Sequence, residues 1–177
     1  DANGVISFAT PVEAEKTALS WASKLGDGFS ADAVSCPILI TEEGYEYLIV
    51  YSGTTLYKVD ALSGETVATG AMDHKSSFAI NSATYAEGMI FVGLANGTVQ
   101  AFDAATLESL WIYRDKRGGQ PNCPITYSNG YVYTGFWNSE TTPANFVCLS
   151  VTDEDPTRTN EEKLASWTHT DKGFYWA

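Results

Sequence analysis

The segment LYKVDALSGETVA at 56–68 returns, degenerate but in phase, as VQAFDAATLESLW at 99–111. Asp60 falls on Asp103, 43 residues later, while Gly64 falls on Leu107 and Ala68 on Trp111. What precedes each copy matches too: YLIVYSGTT, then MIFVGLANGT, with YVYTGFWNS opening a third. The turns keep step. Glu43-Gly44, Glu87-Gly88 and Asn129-Gly130 recur at intervals of 44 and 42, and Gly53, Gly93 and Gly135 at 40 and 42. The third copy carries two insertions, one around 138–145 and one at 152–162, which move its closing Trp167 to 56 residues after Trp111.

A chain that repeats itself at this interval must solve one packing problem several times, and each solution must bury its faces against its neighbours. Within each unit the sequence predicts four short strands; in the second they are 78–85, 89–94, 98–103 and 107–113. Asn96-Gly97 between two of them is a strong two-residue hairpin signal, which also accounts for the NGT sequon there. Helical spacing is poor, with 11–25 the one stretch that supports it. The expected class is all-β, a partial β-propeller of about three four-stranded blades plus incomplete terminal strands. The blades are placed at roughly 29–68, 72–111 and 120–167, with a further one starting at 170–177.

These residues resemble the repeat of the pyrroloquinoline-quinone (PQQ) type propellers, the quinoprotein alcohol dehydrogenase-like family, whose pattern is A-x-D-x-x-T-G-x-x-x-W. KVDALSGETVA lacks the Trp and AFDAATLESLW lacks the Gly. Trp21 looks like the closing Trp of a preceding copy, and the likeness covers about 15–177. It implies that Trp21, Trp111 and Trp167 are core pins between blades and that the Asp and Gly residues form turns. Three sheets and two loose strands do not close a ring. The expectation is a piece of a larger propeller, completed by the missing remainder of its own chain. The alternative is two copies that complete each other.

The resemblance also raises enzymatic chemistry. Typical quinoprotein dehydrogenases form a longer, eight-bladed ring around the quinone, with adjacent cysteines, calcium ligands and an Asp base. Here no two of Cys36, Cys123 and Cys148 are adjacent, and Asp60 and Asp103 occupy turn slots. No residue carries over as catalytic. The expected protein is therefore not an enzyme and holds no cofactor; a fragment of a PQQ-dependent dehydrogenase is the alternative. The three cysteines read as small buried thiols on strands. With two histidines and no C-x-x-C, a zinc site is not expected. TDEDPTRTNEE at 152–162 has five acids but not the calcium-loop spacing, and reads as a solvated loop.

The formal net charge is −12, which argues against nucleic-acid binding, since phosphate contacts need a basic surface. No apolar run is long enough to span a membrane, and the first residues lack the basic start and apolar core of a signal peptide. The charge is polarised. The blade-to-blade connections at 22–35, 69–82, 112–123 and 168–177 hold six of the ten basic residues but five of the 22 acids. The candidate ligand face is His74, Lys75, Arg114, Lys116, Arg117, Trp137, Lys172 and Trp176, with the insertion FWNSETTP reaching the same side. It suits an acidic peptide or a sugar acid. The opposite face is acidic. The expected role is a non-catalytic binding or scaffolding module, and family habit places it outside the cell or at its surface.

Overall fold

The computed structural model describes residues 19–26, 36–76 and 82–172, and the strands among them form three sheets. The first is β1 (Ile38–Glu42), β2 (Tyr45–Ser52), β3 (Thr55–Asp60) and β4 (Thr66–Ala71), antiparallel in chain order. The second repeats it with β5 (Thr84–Ala86), β6 (Met89–Leu94), β7 (Thr98–Asp103) and β8 (Ser109–Arg114). The third has β9 (Thr126–Ser128), β10 (Tyr131–Gly135), β11 (Pro143–Ser150) and β13 (Trp167–Lys172). No described residue is helical; 19–25, within the one helix-compatible stretch, is irregular. Of the expected strand at 78–85, Thr84–Ala86 forms and 78–81 lies outside the described residues.

The repeat is a repeat of atoms as well as letters. Asp60 Oδ1 accepts from the backbone N–H groups of Leu62 and Ser63, and Asp103 Oδ1 accepts from the Thr106 N–H and hydroxyl. Each Asp thus closes the β3–β4 or β7–β8 turn by satisfying donors that the chain reversal would strand. The ladders slip at the same phase, between Lys58 and Val59 and between Ala101 and Phe102. Asn96 and Gly97 both take positive φ, 61° and 70°, as a tight hairpin requires.

Strand alternation then decides the packing. Ile90, Val92, Leu94 and Phe102 point into one core with Ile40, Ile49, Tyr51 and Leu56 of the first sheet. Phe91, Val99, Ala101 and Trp111 point the other way, into a second core with Val132, Ala144, Val147 and Leu149. The middle sheet is buried on both faces, as a blade between two blades must be.

Each seam is closed by a donor to one repeated carbonyl. Trp111 is fully buried and its Nε1 donates to Val151 O at 3.4 Å. Half-buried Trp21 donates to the equivalent Ala61 O at 3.1 Å, without belonging to a strand. At the seam between the first and second sheets the Trp position is Ala68, and its cross-strand neighbour Lys58 takes over: Nζ donates to Ala104 O at 3.0 Å and to Ala105 O at 3.2 Å. Lys58 is only 4% exposed, forms an ion pair with Glu42 and lies over the Tyr47 ring at 4.4 Å.

Four expectations need correction. Trp167 is not buried: it pairs with Cys148 across the ladder, as Trp111 pairs with Ala101, but it is 46% exposed, because no described sheet covers the outer face of the third. Residues 170–172 do not start a further blade; they continue β13, and 173–177 lie outside the described residues. Cys36 is exposed, because it precedes β1 instead of lying on it; Cys123 likewise precedes β9 and is half-buried, while Cys148, on β11, is buried as expected. The acidic insertion is not only a solvated loop. It carries β12 (Glu161–Lys163), which adds a fifth, parallel strand to the second sheet beside Trp111–Tyr113 and so covers an otherwise open edge.

Candidate functional site

The residues expected to form a ligand face fall into two groups, each at the end of a seam. The first is built where β4 and β8 end. Gln100, buried on β7, accepts from the Asp73 N–H at 2.8 Å and holds Ala71 O and the Ser109 hydroxyl with its amide. This fixes Asp73 beside Arg114, which grips it with two bonds: Nε to Oδ2 at 3.1 Å and Nη2 to Oδ1 at 2.8 Å. His74 Nε2 lies 3.3 Å from the same carboxylate. Arg114 and His74 are therefore brought together, around an acid that offsets the Arg114 charge. Exposed Lys75 follows, its carbonyl accepting from the Ala95 N–H.

The second group hangs on a buried carboxylate. Asp115, 7% exposed, accepts from the Tyr113 hydroxyl at 2.6 Å, from Asn145 Nδ2 at 3.0 and 2.9 Å, and from the Arg117 N–H at 2.8 Å. The Thr170 hydroxyl in turn donates to Asn145 Oδ1 at 2.6 Å. One carboxylate thus ties β8, β11 and β13 together and shapes the turn that presents Lys116 and Arg117, both exposed. Burial, then the bond to Asp115 and its charge, push the Tyr113 phenol far above its ordinary value.

The insertion joins this group. Gln120 and Trp137 exchange backbone bonds at 2.7 and 3.0 Å, and Asn138 Nδ2 donates to both Arg117 O and Pro143 O. Lys172 pairs with Pro143 at the end of β13 and is exposed. Trp176 lies outside the described residues. Between Lys116, Asp115, Asn145, Lys163 and Thr168 is a cavity of about 360 Å³, open to solvent and lined by both signs of charge. The arrangement can bind a small polar or anionic group at the Lys116–Arg117 turn. No cluster of metal-ligating side chains occurs among the described residues.

Sequence reasoning did not single out Tyr113, Asn145, Lys58 or Lys163. Their function is set by cross-strand register and by a neighbouring sheet, which no local motif reports. A Lys at a strand position that its repeat mates fill with Ala101 and Cys148 is the one signal that was there to find.

No family model matches the chain, and no curated protein matches it. Solved structures do. A quinohemoprotein alcohol dehydrogenase from Pseudomonas putida HK5 aligns with a TM-score of 0.55 at 18% identity, over 77% of this chain and 20% of that one. A europium-containing methanol dehydrogenase aligns at 0.52 and 16%, over 82% and 28%. BamB from Moraxella catarrhalis aligns at 0.51 and 15%, over 77% and 36%. The chain spans between a fifth and just over a third of the length of these proteins, and the likeness is one of fold.

Proposed function

We propose that this chain is a non-catalytic binding or scaffolding module of the quinoprotein-like repeat class, completed by further blades from its own chain or from a second copy. Trp167 carries this reading. Its ladder position is that of Trp111, yet it is 46% exposed where Trp111 is fully covered, and it groups with Tyr133 at 6.1 Å and Phe146 at 6.0 Å between ring centroids. An aromatic row of this kind on a sheet face favours a partner that covers it. The basic turns at the seam ends supply the ligand side of the module, for an acidic peptide or a sugar acid. A location outside the cell or at its surface fits the acidic composition.

Sedimentation of the chain over a wide concentration range tests the reading. Self-association that Trp167→Ser abolishes supports completion by a second copy. If Trp167 instead stays solvent-quenchable in every longer form of the protein and at every concentration, the completion idea fails. The fold shared with the alcohol dehydrogenase favours one second reading, a fragment of a quinone-dependent dehydrogenase. Absorbance after addition of quinone and calcium separates the two: a bound chromophore selects the dehydrogenase.

A further inference from the structure

The three sheets allow one seam to be compared with the next inside the same molecule. At the seam between the second and third sheets, Tyr127 of β9 donates its hydroxyl to the carboxylate of Glu87, in the turn between β5 and β6. The pair is a clamp across the rim of the seam. The repeat places the same two residues one seam earlier: Tyr85 two positions before Glu87, as Tyr127 is two before Asn129, and Glu43 in the first sheet's turn. There the clamp is open. No hydrogen bond joins Tyr85 to Glu43, Tyr85 is 42% exposed, and both residues line a cavity of about 680 Å³.

The cavity has a definite chemistry. Tyr45, Tyr47 and Tyr85 line it, with the acids Glu42, Glu43 and Asp103, the last of which also accepts from Thr106 through Oδ1. At its back stands Lys58, the residue that replaces the seam tryptophan; its ammonium lies 4.4 Å from the centre of the Tyr47 ring and is paired with Glu42. An ammonium is thus already held there, by one ring, one acid and the carbonyls of Ala104 and Ala105. Three carboxylates against one ammonium leave a net charge of −2 at the rim, on a chain whose net charge is −12. Aromatic faces beside uncompensated carboxylates attract ammonium and guanidinium groups. Trp111 closes the next seam and Trp21 lies on the first sheet at the equivalent carbonyl, whereas here the repeat departs from that rule in Ala68, Lys58 and the open clamp together, and such joint departures mark functional places.

We propose that this cavity binds the cationic side chain of a basic peptide, a second cation seated between Tyr45 and Tyr85 and facing Glu43 and Asp103. The site lies apart from the basic turns and is independent of how the propeller is completed. The probe is the tripeptide Gly-Arg-Gly, titrated against the ¹⁵N-labelled chain, with Gly-citrulline-Gly as the neutral control of the same shape. Saturable amide shifts confined to 41–47, 85–88 and 103–105, absent with citrulline and weaker in high salt, are expected. Glu43→Gln and Tyr85→Ala, both at exposed positions, should each weaken binding about two- to fivefold with the amide spectrum otherwise intact. The proposal is overturned if Gly-Arg-Gly gives no saturable shifts, if citrulline reproduces them, or if both variants titrate like the parent.

Discussion

The indole of Trp21 lies directly on Gly64: a Cβ built there would stand 2.5 Å from the ring. The same turn position in the second sheet is Leu107, fully buried at positive φ, and the Trp position beneath it is Ala68. Gly with Trp, and Leu with Ala, are two ways of filling one space. Gly64 also has a φ of 76°, so Gly64→Ala adds backbone strain to the clash. We expect it to destabilise the chain by about 2–3 kcal/mol in urea unfolding. Added to Trp21→Ala it should cost clearly less than it does alone, because the ring it strikes is gone. Additive losses would mean that Gly64 serves the turn and not the indole.

Lys58 makes a second, sharper test. Its ammonium answers Glu42, Ala104 O and Ala105 O at once. Lys58→Ala removes the cation, leaves a half-buried carboxylate and two carbonyls without it, and should cost about 3–5 kcal/mol. Lys58→Met with Glu42→Gln replaces the pair by groups of similar volume and should cost far less, about 1 kcal/mol or nothing. If the two variants lose the same stability, the ion pair is not what closes this seam.

How much of this was legible beforehand follows the physics of range. Turns and strand periods are local, so Asp60, Asp103, Asn96-Gly97 and the hairpins around them could be read from neighbouring letters. The stacking of sheets followed from the period. What could not be read depends on which residue another blade covers. Trp111 and Trp167 are the same letter at the same phase, one fully buried and one half exposed. The acidic insertion looked solvated because β12 pairs with a sheet about fifty residues away in the chain, and three residues carry no period. The basic loops were placed, but not the Asp73 carboxylate that Arg114 and His74 share.

Tyr113 predicts an alkaline transition. Its phenol is held far above the value near 10 that it has in an unfolded chain. The folded state therefore keeps a proton that the unfolded state releases above about pH 10. Stability from this group is fully present below that pH and is lost as pH rises toward the folded value. Tyr113→Phe should cost about 1 kcal/mol near neutrality, where it deletes one bond to Asp115, and should flatten the fall of stability above pH 10 by up to one proton's worth. Urea unfolding from pH 8 to 11 measures both; parallel curves for the two proteins would contradict the assignment.

Lys163 is the last case, and it separates a decorative strand from a structural one. β12 contributes three residues at the edge of a sheet that would already be four strands wide, so its backbone bonds alone suggest little stability. Yet Lys163 is 3% exposed, donates to Thr152 O and to Glu154 Oε1, the latter at 2.7 Å, and places its ammonium 5.3 Å from the centre of the buried Trp111 ring. The side chain thus plugs the outer end of the second seam and holds the insertion's start to its end. Lys163→Ala should open a cavity beside Trp111, costing about 2–4 kcal/mol and shifting Trp111 emission to longer wavelength. Glu154→Gln, which removes only the exposed partner, should cost less than about 1 kcal/mol. Emission that stays unchanged in Lys163→Ala would show that β12 rides on the sheet without sealing it.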